Sequence, residues 1–290
     1  PGSMNILGCR GWMRCWHAYF KAYAHGVSGR HYQAGAILAD ALAEGLQMPG
    51  LGPWYRLLLA EISLSTGQPE QALSDLDRSA PVSPDALPIE GLRRADAFYM
   101  ANELDRACAG YAKAAETLPD FTDYAGSVAR RGALFYRQGK YDQAAVAFFN
   151  LSQKLAEKHP QKAGLSKYWS AMARLRQGER KRAVFLLNEC RKQLDNKEAA
   201  HRAWMKLVDL DVLGVPRPSL AEAAGEYKKI LEASQVRKVR EEAFFKRALL
   251  HHLYGDDISA IKTLGRFMSG YWAGDLYFEG ENLLVELMPG

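Results

Sequence analysis

The sequence predicts an all-α solenoid of about seven helix–turn–helix repeats. Three observations predict it. A turn residue recurs as Gly29, Gly67, Asn102, Gly139, Gly178, Gly214 and Gly255. Gly and Asn tolerate the left-handed conformation that ends a helix. Seven positions before each turn stand Ala22, Ala60, Ala95, Gly132, Ala171, Leu207 and Ala248, nearly all small, as close helix crossing requires. After each turn comes an alanine: Ala34, Ala72, Ala107, Ala144, Ala183, Ala223 and Ala260.

The second helix of each copy follows from what comes next. Four positions beyond the alanine are Leu38, Leu76, Tyr111, Phe148, Leu187, Tyr227 and Leu264. Three further are Ala41, Ser79, Ala114, Leu151, Cys190, Ile230 and Phe267. Steps of four and three keep these side chains on one helical face. The sixth copy departs from the pattern: "VPRPS" (Val215 to Ser219) adds four residues after Gly214, and Leu207 replaces the small residue. The proline-rich insert Ser79 to Pro88 leaves the repeat phase intact and reads as a loop. Residues 271–290 hold no full copy and read as a capping helix, or as the first helix of an eighth copy. Pro1 to Ser3 look like a cloning remnant, so residues 4–290 are expected to form a single array.

The fourth copy carries Gly132, Phe135, Gly139, Tyr141, Ala144, Phe148 and Leu151. With these residues the pattern resembles the tetratricopeptide repeat (TPR) family, from about Trp12 to Phe267. Pro119 and Pro160 match the family's closing proline. The alanine spacing of 35 to 40 residues slightly exceeds the usual TPR period of about 34, so some copies are closer to Sel1-like or generic hairpin variants. The resemblance implies a right-handed α-superhelix with the first helices lining a concave groove. A lone hairpin cannot bury its apolar face, so stability is expected to come from stacked neighbours.

Composition is that of an ordinary globular chain, 48% hydrophobic and 24% charged. A formal charge of +5 is too weak to argue for nucleic acid. No run of eighteen apolar residues suggests a membrane span. "ILGC" (Ile6 to Cys9) fits a lipoprotein box only superficially, for lack of a preceding apolar stretch. Cys9, Cys15, Cys108 and Cys190 match no zinc or CxxC spacing and read as free thiols in a reducing, cytoplasmic compartment, the alternative being the periplasm if a signal peptide has been removed.

No phosphate loop, dinucleotide fingerprint, HExxH or nucleophile elbow occurs, so neither enzyme chemistry nor a cofactor or metal is expected. "HGVSGRH" (His25 to His31) reads as the first helix turn, with Gly26 and Gly29 as breakers. His251 and His252 point about 100° apart on a helix and suit its C-terminal dipole better than a metal.

Placed on the family's groove positions, the partner-binding candidates are Tyr19, Tyr23, Arg93, Tyr99, Arg130, Tyr136, Arg137, Tyr168, Arg176, Trp204 and Phe245. Glu61, Asp96 and Asp211 fall on the same face. The Lys/Asn set with which chaperone-binding TPRs clamp a terminal carboxylate is missing. Aromatic residues and Arg are those enriched at binding hot spots. The implied partner is a peptide or helical segment, apolar with acidic residues. RNA reading is disfavoured, because the fifth positions of the first helices lack the polar residues of a base code. The reading is therefore a non-enzymatic scaffold or adaptor. The alternative is an accessory module of a larger assembly, of the secretion, pilus-assembly or lytic transglycosylase type.

Overall fold

The structure, a computed structural model, describes residues 6–43, 51–77, 87–117, 121–192 and 197–288. Pro1 to Ser3, most of the Ser79 to Pro88 insert and Pro119 lie outside the described residues, as does the side chain of Cys9. Among the described residues there are fifteen helices and no strand. They are α1 (Ile6–Val27), α2 (His31–Ala43), α3 (Gly52–Ser65), α4 (Pro69–Asp77), α5 (Leu87–Met100), α6 (Leu104–Thr117), α7 (Phe121–Arg137), α8 (Tyr141–Leu155), α9 (Pro160–Arg176), α10 (Arg180–Lys192), α11 (Lys197–Val212), α12 (Leu220–Ala233), α13 (Arg237–Leu253), α14 (Asp257–Gly270) and α15 (Tyr277–Leu287). None of the described helices is long and apolar enough to cross a membrane.

The chain forms two compact units, Pro1–Leu134 and Phe135–Gly290. In the first, α1 pairs with α2, α3 with α4 and α5 with α6; α2 packs on α3, α4 on α5, and the first helices α1, α3 and α5 touch in series. The second repeats the scheme from α8 to α15, with α9, α11 and α13 as its touching first helices. Within each unit, helices that follow one another pack together and the first helices touch in series, the nearest-neighbour pattern of a helical solenoid.

The turns show why the sequence punctuates where it does. Gly29, Gly67, Asn102, Gly139, Gly178 and Gly255 all have φ between 61° and 80°. At each, the turn residue's N–H bonds to the carbonyl three back, and the next N–H to the carbonyl five back. Gly139 to Tyr136 (3.2 Å) and Lys140 to Phe135 (2.9 Å) are one example. This pair of hydrogen bonds is the Schellman motif, and its left-handed residue explains the glycines.

Two expectations about breakers are corrected. Gly26 stays within α1, and its carbonyl receives the Gly29 N–H. Gly214 is not left-handed; a Cβ there would sit 3.1 Å from the Leu210 oxygen and 3.2 Å from Nη2 of Arg180, so close approach selects glycine. Val215 precedes Pro216, which disfavours helical backbone there, and α12 restarts on a capping box formed by Ser219 and Glu222. The prolines also open helices: Pro160 sits at the start of α9, and Pro88 lies in the first turn of α5.

The alanine ladder is buried throughout, from Ala34 to Ala260. The described large residues four positions on, from Leu38 to Leu264, are buried with it. In the sixth copy the buried residue of the first helix is Val208, while Leu207 is only partly covered. The register there runs one residue later than the turn glycine suggests.

Candidate functional site

In the first unit, three successive first helices share one face. α3 contributes Glu61, α5 contributes Arg93, Asp96 and Tyr99, and α7 contributes Arg130. These side chains line an open cavity of about 610 Å³. Its electrostatics follow from the repeat. An acid stands six positions before the turn and a cation nine before it, three apart and so on one helical face. Stacking then sets the acid of one copy beside the cation of the next. Arg93 lies 2.5 Å from Glu61, and Arg130 lies 3.5 Å from Asp96. Arg93 also reaches Asp96 at 3.3 Å, and the Tyr111 hydroxyl donates to Asp96 at 2.7 Å. Burial opposes the charge on Arg93, but Glu61 and Asp96 together hold its pKa above the ordinary value.

The same triad of tyrosine, acid and next-copy cation recurs in the second unit. The Tyr227 hydroxyl donates to Asp209 at 2.5 Å, and Lys246 on α13 donates to the same carboxylate at 2.8 Å. Glu242 joins Lys246 at 2.9 Å and Arg202 at 3.2 Å. Tyr168 stands beside this network; burial first, then the Glu242 charge, push its pKa up to about 12. Asp209 follows buried Val208 as Asp96 follows buried Ala95, which confirms the one-residue offset of the sixth copy.

The predicted site residues separate into three groups. Arg93, Tyr99 and Arg130 are brought together in the first cavity, and Tyr99 and Arg130 remain substantially exposed. Tyr136 and Arg176 meet in the second unit, where Arg176 Nε donates to the Tyr136 hydroxyl at 3.2 Å and the Tyr136 ring meets Trp169 edge-on at 6.2 Å. Tyr23 and Arg137 are exposed.

The third group is largely structural. Tyr19 packs against Trp16 and Tyr55, Phe245 against Phe267, and Tyr168 against the core around Ala171 and Leu187. Trp204 faces away from the acid–cation row. Its indole N–H donates to Glu226 on α12 at 2.8 Å, and Arg191 of α10 covers its ring. The one-residue offset is the reason, since one position turns a side chain by about 100°.

Asp209, Glu242, Arg202, Lys246 and Trp169 were missed by the sequence reading. The signal that could have found the charged pair Asp209 and Lys246 is the periodic spacing of acid and cation before each turn. His251 and His252 are held by Asp256 (3.2 Å) and Asp257 (2.8 Å), the first residues around the start of α14. Among the described residues no group of three or more His, Cys, Asp or Glu could hold a metal.

The buried tyrosines predict an alkaline limit to stability. Burial, then the charges of Asp96 and Asp209, raise the pKa of Tyr111 and Tyr227 above the ordinary 10.0. Above pH 10 the unfolded chain sheds phenol protons that the folded chain keeps, so stability falls as pH rises. Each such tyrosine costs up to about 1.4 kcal/mol per pH unit. Lys246 acts with the same sign: burial opposes its charge, but Asp209 and Glu242 raise its pKa above 10.5. Thermal melts should hold steady from pH 8 to about 9.5 and drop steeply by pH 11. A flat profile across that range would contradict the triads.

The fold is that of a tetratricopeptide-like helical solenoid. No family model matches the chain, and no curated protein sequence matches it. Solved structures do. A tetratricopeptide repeat protein from Parabacteroides merdae superposes with a TM-score of 0.60 at 17% identity, covering 96% of this chain and 100% of that one. The apo form of RapI gives 0.66 at 13% identity, covering 94% and 84%. NprR in complex with its cognate peptide NprX gives 0.51 at 11% identity, covering 99% and 85%. At these identities the likeness is one of fold.

Proposed function

We propose that the chain is a non-enzymatic protein-interaction scaffold that holds a peptide or helical segment of a partner on its first-helix face. The cavity built by α3, α5 and α7 carries this reading. Glu61, Arg93 and Asp96 are already fixed by one another, so their charges are preorganised and need no ordering on binding. Arg130 is less committed: it reaches Asp96 only at 3.5 Å with 47% of its side chain exposed, and can fork onto a partner carboxylate. Tyr99 supplies an aromatic anchor beside it. A partner segment that is apolar with some acidic residues suits this surface. NprR, of similar fold, was solved with a bound peptide, which supports the reading.

The reading extends to a reducing, cytoplasmic setting. Cys15, Cys108 and Cys190 are free, and burial pushes the Cys190 thiol up to about 12, where it is inert at neutral pH.

The test is a pull-down from source-cell lysate with the parent chain and with Tyr99→Ala/Arg130→Glu. Both positions are exposed, but Arg130→Glu sets a like charge beside Asp96, so the variant is expected to melt somewhat below the parent and the two are compared at a temperature where both are folded. A partner protein recovered by the parent should fall about tenfold or more with the variant. Equal recovery by a folded variant would move binding off this face.

A further inference from the structure

The second helices carry a surface that the first-helix face does not explain. Val146 and Phe149 on α8, with Phe185 and Leu186 on α10, line an open groove of about 470 Å³. Phe185 is 66% exposed, Val146 44% and Phe149 40%. The charged side chains lining the groove, Arg174, Lys181 and Arg182, are all cations. Arg174 and Arg182 are partly neutralised by Asp142 and Glu179. Lys181, one helical turn from Phe185, has no carboxylate within ion-pair distance among the described residues.

The repeats supply their own control. Two positions after the ladder alanine, where Val146 and Phe185 stand, the other copies have Ala36, Ser74, Ala109, Gly225 and Lys262. Five positions after it, where Phe149 stands, the others have Ala39, Asp77, Ala112, Asn188, Lys228 and Gly265. Small or polar residues satisfy the fold at both places. Large apolar residues concentrate in two adjacent copies, where exposed hydrophobic surface works against solubility unless something covers it.

We infer that the α8–α10 groove docks an acidic amphipathic helical segment of a second partner protein. Phe149 and Phe185 take the partner's apolar stripe, read as i, i+3, i+4 and i+7 anchors. The cationic rim selects carboxylates and repels basic helices. The first-helix cavity and this groove share no lining residue, so the chain would bridge two partners.

The test is selection of a displayed library of random helical peptides on the full-length chain, with binding then measured for the selected pool. Peptides lost by about tenfold or more on Phe149→Ser/Phe185→Ser should be rich in Glu and Asp with Leu or Phe at helical spacing. They should bind about tenfold more weakly to Lys181→Glu/Arg182→Glu and weaken further with added salt. They should bind Tyr99→Ala/Arg130→Glu as they bind the parent, which separates this groove from the first-helix face. A pool that is neutral or basic, or one that both groove variants still bind, overturns the proposal. So does sedimentation showing a dimer of the parent that Phe149→Ser/Phe185→Ser converts to monomer, because the occupant would then be a second copy.

Discussion

Asp209→Ala will destabilise the second unit by about 2–4 kcal/mol. Asp209 accepts from the Tyr227 hydroxyl and from the Lys246 ammonium, and its side chain is only 17% exposed. Removing it leaves a buried hydroxyl without its partner and a largely covered ammonium with Glu242 alone. Both groups then keep their desolvation cost while losing what offset it. Asp209→Asn keeps an acceptor but not the charge, and should cost less than the alanine variant. A double-mutant cycle with Lys246→Met should return a coupling above about 1 kcal/mol in denaturant melts. An alanine variant within about 0.5 kcal/mol of the parent would mean that the triad is a surface decoration.

Gly110→Val will cost about 1–3 kcal/mol, or more, through the crossing of α5 and α6. A Cβ added at Gly110 would lie 2.8 Å from the Ala95 Cβ and 3.3 Å from its Cα. The obstruction on the α5 side is backbone and the first side-chain atom, so no rotamer change can relieve it. The helices must separate, and the cluster of Leu92, Ala107, Tyr111, Ala114 and Leu134 loses contact. Gly110→Ala should produce a smaller loss of the same sign, because it adds one atom where valine adds three. Equilibrium urea unfolding of the two variants checks the order; equal midpoints for both and the parent would show that the crossing is looser than described.

The turn series and the alanine ladder were legible because their causes are local. A left-handed residue must be Gly or Asn to avoid a steric penalty, so six of seven turns could be located without any tertiary information. A buried crossing between close helices admits little more than a methyl group, so the seven alanines marked the repeat. The binding face was legible in part. Arg93, Tyr99 and Arg130 were placed on one face and do line one cavity. Trp204 was misplaced because the sixth register was counted back from Gly214, which is not the left-handed residue that ends the other first helices. Tyr168 and Phe245 were read as groove residues, yet their rows point toward neighbouring helices. Spacing along one helix gives its apolar stripe, not how far the next helix overlaps it.

By itself, the sequence determined the helix–turn–helix unit, its period and the residues at its turns and crossings, because each depends on the conformation or size of a residue and its chain neighbours. Only the tertiary structure decided how the charges are committed. Arg93 to Glu61, Arg130 to Asp96 and Lys246 to Asp209 join residues one copy apart. The exposure of Val146, Phe149 and Phe185 was settled at the same level. Pairing across copies and burial between them are set by stacking geometry, and a sequence read one helix at a time contains the partners but not their distance.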